Sequence, residues 1–460
     1  MTEAVSPRRR REVIDALRRG TVPANGLDLL AVGLDRFIPT LDADLGVVAS
    51  GGSAFKATRG EYGAGKTFLT RFLGERALRR GFAVAEVQIS ETETPLHRLE
   101  TVYRRITEVL RTASMPASAF RAVLDSWLFT LQSDAVAADS SLAHASESTV
   151  TSAVDQLLES RLATVTAKTP AFAQALRAYR AAVVAGDVVT ADALAGWLGG
   201  QPHVAAAAKR AAGVRGELDH FGAMGFLQGL LTVLRDAGHP GLLLVLDEVE
   251  TLQRVRGDVR DKALNAIRQL VDEIDSGRFP GLFLIMTGTP AFFDGPSGVP
   301  RLAPLAQRLA TDFATDARFD NPRAVQLRLQ GFDHAALTSL GAKVRDLYAG
   351  GSSSSDRIQS VVGDSYVDEL ATAVAGSLGG RVGIAPRVFL KKLVSDVLDR
   401  VDQFEDFDPR QHYALTLRAD ELSDVERNAA GASLKSQGDG PALARTPPAA
   451  SHPDDIDLQL

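Results

Sequence analysis

The octet GEYGAGKT, residues 60–67, is where residue type and spacing point most directly to chemistry. Gly60, Gly65, Lys66 and Thr67 satisfy G-x-x-x-x-G-K-[ST]. Glycine lets the backbone curl, so that successive N–H groups from Gly60 through Glu61, Tyr62, Gly63, Ala64, Gly65, Lys66, Thr67 and Phe68 turn toward phosphate oxygens. Lys66 is expected to reach the β- and γ-phosphates, and the Thr67 hydroxyl to ligate Mg²⁺. The ligand this chemistry calls for is ATP with Mg²⁺. A second chemical segment is GLLLVLDEVE, residues 241–250, an apolar run that ends on Asp247 and Glu248. Asp247 is expected to hold Mg²⁺, and Glu248 to polarise an attacking water. Glu250 reads as solvated surface.

These residues need elements to position them. SAFKAT, residues 53–58, reads as a buried strand, and KTFLTRFLGERAL carries Phe68, Leu69, Phe72, Leu73 and Leu78 near helical spacing. That helix would direct its N-terminal dipole at the phosphates. The apolar run before Asp247 is the pattern of a parallel strand buried on both faces, and an acid at its C-terminal end falls where open α/β sheets bind ligands. Further strands are expected at 82–90, 281–290 and 324–332, with an amphipathic helix bearing Leu264, Ile267, Leu270, Val271 and Ile274 between two of them. Strands alternating with helices predict an α/β fold with a five-stranded parallel sheet. Three helical segments follow, at 335–348, 364–378 and 386–401.

Between Lys66 and Asp247 the chain is far longer than one strand and one helix require. Its excess, about Ala113 to Arg215, is Ala-rich and helical in pattern. One face groups Phe120, Val123, Leu124, Trp127, Leu128 and Leu131, and Thr169–Pro170 opens a later helix. The reading is a large inserted helical subdomain with Trp127 and Trp197 as core anchors.

Composition bounds the rest. The chain has 460 residues, 45% hydrophobic and 23% charged, which suits a globular protein of two or three domains. A formal charge of −6 gives no bulk drive toward nucleic acid or anionic lipid, so any DNA contact would be local. The absence of cysteine excludes disulfides, thiolate zinc sites and thiol nucleophiles. No segment reads as a signal peptide or a membrane span, and a cytoplasmic location is expected. Arg8 to Arg11 begin an amphipathic helix with Val13, Ile14 and Leu17, and the Gly-, Pro- and Ser-rich tail from about Ala429 reads as disordered.

With these motifs in place, the sequence resembles the AAA+ division of P-loop ATPases. That resemblance implies a polar sensor on the strand ending MTGTP, either Thr287 or Thr289, beside Glu248. It implies an arginine finger for a neighbouring subunit's γ-phosphate, Arg308 in preference to Arg301, and hence a homo-oligomer. Arg387, after Pro386, stands where the helical lid carries its second sensor, and Val32 and Gly33 where the adenine is packed. More specifically, GEYGAGKTFL, VQISETETPLHRLETVYRRI, YRAAVVAGDVVTADALAGWLGG and REVIDALRRGTVPANGLDLLAVGLDRFI resemble the BREX-system ATP-binding-domain family over about residues 10 to 400. Phe68 departs from the histidine expected there. The resemblance implies phage defence, with a helicase or other defence-system proteins as partners. The expected division is an N-terminal helix and base-side segment (1–40), a split ATPase domain (41–112 and 216–333), the helical insertion (113–215), a helical lid with its extension (334–428) and the tail (429–460).

Overall fold

The computed structural model describes residues 5–378 and 386–418, with Leu422 and Arg427; the tail expected over 429–460 lies outside the described residues. Helix α1 (Pro7–Arg18) opens with Ser6, whose hydroxyl accepts from the Arg9 amide at 3.4 Å, and with Pro7 where a missing N–H costs nothing. Its buried face is Val13, Ile14, Ala16 and Leu17. Then come α2 (Ile38–Ala49), β1 (Ala54–Arg59), α3 (Lys66–Arg79), β2 (Ala83–Gln88) and α4 (Leu99–Val109). Six more helices follow α4 before the next strand: α5 (Phe120–Ala138), α6 (Glu147–Lys168), α7 (Pro170–Val184), α8 (Val188–Leu198), α9 (Ala206–Ala211) and α10 (His220–Asp236). The chain continues through β3 (Leu242–Asp247), α11 (Gly257–Asp275), β4 (Leu282–Gly288), α12 (Pro290–Asp294), α13 (Ala303–Arg308) and β5 (Gln326–Arg328). It ends in helices α14 (His334–Ala349), α15 (Ser355–Val361), α16 (Asp364–Ser377) and α17 (Pro386–Lys391). A π-helical stretch, Lys392–Leu398, leads from α17 into α18 (Asp399–Gln403), and α19 (Pro409–His412) is a single turn.

The five strands form one parallel sheet in the order β2-β3-β4-β1-β5. Every residue of β3 and of β4 is buried, as their unbroken apolar runs require in a sheet covered on both faces. Register aligns Gln88 with Asp247 and Thr58 with Thr287. The C-terminal ends of β1, β2, β3 and β4 therefore meet at one sheet edge, and the loop after β1 opens there. The strand expected over 324–332 is paired only over Gln326–Arg328, because β5 lies at the sheet margin with β1 as its one neighbour.

Two apolar clusters cover the sheet. One packs α2 and α3 on it through Leu41, Leu45, Phe72, Leu73, Val245 and Ile285. The other runs from the opposite face straight into α4–α10, so those helices share the core of the sheet. At its centre Phe226 meets Tyr103, Phe172 and Trp197 edge-on, with ring centroids 5.6, 5.0 and 5.3 Å away. Gly229 makes this possible, since a Cβ there would stand 2.5 Å from the Phe172 ring. Trp127 is buried in the same core, and its indole N–H donates to Asp236 at 2.6 Å.

A third cluster holds the C-terminal helices, and α1 belongs to it: Val13, Ile14 and Leu17 pack with Leu337, Leu340, Phe389 and Val394. Arg18 fixes the pairing with a two-pronged bond to Asp399, at 2.7 and 2.8 Å, while the Tyr348 hydroxyl donates to the same carboxylate at 2.7 Å. Residues some 380 positions apart in the chain are thus one packing unit.

Candidate nucleotide-binding site

The loop between β1 and α3 turns on two left-handed glycines, Gly63 at φ 82° and Gly65 at φ 88°, conformations that side-chain-bearing residues rarely adopt. Gly60 is needed for space: a Cβ there would come within 3.0 Å of the Ala64 Cβ and 3.3 Å of the Leu329 backbone oxygen. The resulting curl ends at the N-terminus of α3 with Lys66 and Thr67. Lys66 is 8% exposed, and its ammonium donates to the carbonyls of Gly60 at 2.7 Å and Glu61 at 3.2 Å. It also lies 5.2 Å from the Tyr62 ring centroid. Burial pushes the Lys66 pKa below its ordinary value, against the pull of Glu250 and Asp247.

Asp247, at the end of β3, is the hub of the site. Its Oδ2 accepts from the Thr67 hydroxyl at 3.1 Å. Its Oδ1 accepts from the Thr287 hydroxyl and from the Glu248 amide, the latter at 3.1 Å. Thr287 is fully buried on β4, and its oxygen also accepts from the Glu248 amide at 3.2 Å. Of the two threonines left open by the sequence, Thr287 touches the acid pair, whereas Thr289 is the buried residue that precedes α12. Glu248 adopts φ 59° and ψ 43°, an uncommon left-handed conformation for a glutamate. Its Oε2 accepts from the Gln88 amide at 2.9 Å, so Gln88, unremarked in the sequence, reaches Glu248 from the end of β2.

Glu250 differs from the sequence reading. It is 6% exposed, because the turn after β3 folds it inward beside buried Val249 and Leu252. Both carboxylate oxygens are buried without a hydrogen-bond partner. Burial pushes its pKa above the ordinary carboxylate value.

A cavity of about 770 Å³ joins these groups. Glycine-loop residues 62–68 form one wall, with Asp247, Glu248 and Glu250 at the same end. Leu17, Val22, Pro23, Val32 and Gly33 also line the cavity, together with Leu340, Arg387 and Leu390 from the C-terminal helices. Val32, Gly33, Phe68 and Arg387 are therefore all brought to the cavity. Arg301 and Arg308 do not line it: Arg301 binds Asp261 at 3.0 Å, and Arg308 is paired with Asp272 on α11.

A parallel five-stranded sheet with a glycine loop between β1 and α3 makes this an α/β protein whose architecture is consistent with a P-loop NTPase. The chain matches the family described as BREX system ATP-binding protein BrxC/D over residues 5–417, and it belongs to that family. No curated protein and no solved structure matches it. The family description is that of an ATP-binding protein of the BREX system. Among the described residues no helix is long and apolar enough to cross a membrane.

Proposed function

We propose that the chain binds ATP with Mg²⁺, hydrolyses it slowly, and uses the cycle to remodel or load partner proteins on DNA within a BREX-type phage-defence system. The observation that carries this reading is the junction of Thr67, Asp247, Thr287 and Glu248 at the mouth of the glycine loop. In this reading the loop amides bind the triphosphate, and Lys66 turns from the Gly60 and Glu61 carbonyls to the phosphates. The apolar part of the lining takes the base, with Val32 and Gly33 beside it.

The metal fits the residues present. The Thr67 hydroxyl and the Asp247 carboxylate are hard oxygen donors 3.1 Å apart, and no cluster of three or more His, Cys, Asp or Glu among the described residues offers an all-protein cage. Such a pair suits a cation whose remaining ligands are phosphate and water, and whose charge would stabilise the transferring phosphoryl group. Glu248 would orient and deprotonate the attacking water, held at the correct height by the Thr287 and Asp247 bonds to its amide.

The finer architecture follows the AAA+ pattern in this proposal. The C-terminal helices with α1 act as the lid, Arg387 as its nucleotide-facing arginine, and α5–α9 as an insertion. Arg308, tied to Asp272 in the single chain, would reach a neighbouring subunit's site on assembly. A second reading, a nucleotide-gated switch, is favoured by one observation: Gln88 occupies a carboxylate oxygen that hydrolysis would need. The Glu248→Gln variant tests the hydrolytic reading. It should bind Mg²⁺·ATP as the native chain does while turnover falls by orders of magnitude. Native turnover in that variant would move water activation to another residue.

A further inference from the structure

The candidate site contains a carboxylate that the hydrolytic scheme leaves idle. Glu250 lines the cavity beside Tyr62, Lys66, Asp247 and Glu248, is 6% exposed, and has two buried oxygens without a hydrogen-bond partner. Asp247 and Glu248, by contrast, are held by Thr67, Thr287 and Gln88. Among the acids acting on the Lys66 ammonium, Glu250 exerts the strongest pull. A carboxylate that no hydrogen bond holds, in so little solvent, is poorly screened and acts strongly on any ion that enters.

A nucleotide brings its own negative charge. A metal-free triphosphate would place nearly four charges against Asp247, Glu248 and Glu250, whereas a divalent cation on the phosphates cancels two. We propose that Glu250 is a specificity-determining residue that makes the site discriminate against metal-free nucleotide and accept the metal-bound form. The proposal rests on the nucleotide-site reading above. Glu250 acts through its charge: it needs no direct bond to metal, only a position from which its field reaches the phosphates held by the glycine loop. Gln88, Thr67 and Thr287 satisfy the other two carboxylates, whereas the counter-charge of Glu250 is Lys66, which in the nucleotide-site reading turns to the phosphates and leaves the Glu250 charge for the ligand to answer.

The test compares metal-free ATP, in excess EDTA, with Mn²⁺·ATP by calorimetric titration of the full chain. Glu250→Gln keeps shape and removes charge. It should tighten metal-free ATP about tenfold and leave Mn²⁺·ATP within about threefold, so that the ratio of the two dissociation constants falls about tenfold. Glu250→Asp keeps the charge and should keep most of the ratio, an outcome that a purely structural role would not produce. If Glu250→Gln does not fold, Glu250→Ala serves the same comparison. A ratio unchanged by loss of the charge, with both ligands bound by the native chain, overturns the proposal alone. Native protein that binds neither ligand overturns the nucleotide-site reading and the proposal with it.

Discussion

Replacing Thr287 by valine removes one hydroxyl from the centre of the site and little else. The side chain is fully buried, so a methyl of nearly the same size fills the space. Two interactions go: the donation to Asp247 Oδ1 and the acceptance from the Glu248 amide at 3.2 Å. A hydrogen bond to a charged group contributes about 1.5–3 kcal/mol, and a neutral one about 0.5–1.5 kcal/mol. Asp247 Oδ1 still accepts from the Glu248 amide at 3.1 Å, and Oδ2 from Thr67 at 3.1 Å, so the carboxylate is not orphaned. The loss should therefore fall near the low end, about 1.5–2 kcal/mol. If Thr287 aligns Asp247 and Glu248 for the reaction, that amount appears in the barrier as a roughly tenfold or greater fall in turnover, at about 1.4 kcal/mol per decade. Binding of Mg²⁺·ATP should change by less than about threefold, and Thr287→Ser should keep most of the rate. Single-turnover hydrolysis with urea unfolding in parallel separates the two effects. A Thr287→Val protein that is less stable yet hydrolyses at the native rate would make Thr287 a packing residue and refute its role beside the acids.

Three other perturbations follow from the same geometry. Gln88→Ala frees the Glu248 carboxylate from its 2.9 Å bond and should change steady-state turnover severalfold with binding intact; an unaltered rate would make that bond incidental. Arg308→Ala should bind ATP normally and lose on the order of a hundredfold in hydrolysis, with partial, concentration-dependent rescue on mixing with Glu248→Gln; absence of rescue in chains shown to associate by sedimentation would remove the finger. Deleting residues 113–215 should leave insoluble protein, because Trp127, Phe172, Tyr179 and Trp197 belong to a core continuous with the sheet; a soluble deletion that still unfolds cooperatively would show that the helices are dispensable.

The glycine loop, β3 and β4 were legible because their signals are local. A loop that must hold glycine at φ 82° and 88° advertises it in sequence, and strands buried on both faces can only be apolar. What escaped depends on register and packing across the chain. Gln88 meets Glu248 only because β2 pairs in register with β3, and Thr287 is distinguished from Thr289 only by its place against Asp247. Glu250 lies next in alternation to an acid at a strand end, a setting that reads as solvent until the turn folds it inward. The membership of α1 in the C-terminal helical cluster rests on Arg18 and Asp399, which no window of sequence contains together. The sequence pattern over 113–215 reads as a separate helical unit, yet the apolar faces of α5–α9 belong to a core continuous with the sheet, a fact set by what each face meets and not by its period.

The central claim is that the cavity beside Lys66 is a nucleotide site, and calorimetric titration of Mg²⁺·ATP into the native chain and Lys66→Ala tests it most directly. The loop amides alone cannot neutralise a γ-phosphate, so removing the ammonium should abolish measurable binding while circular dichroism and thermal unfolding stay close to native. Native protein that takes up about one nucleotide per chain, with none in Lys66→Ala, is the predicted result. An unchanged dissociation constant in the folded variant would contradict it, and would place any ATP bound by the chain somewhere other than this loop.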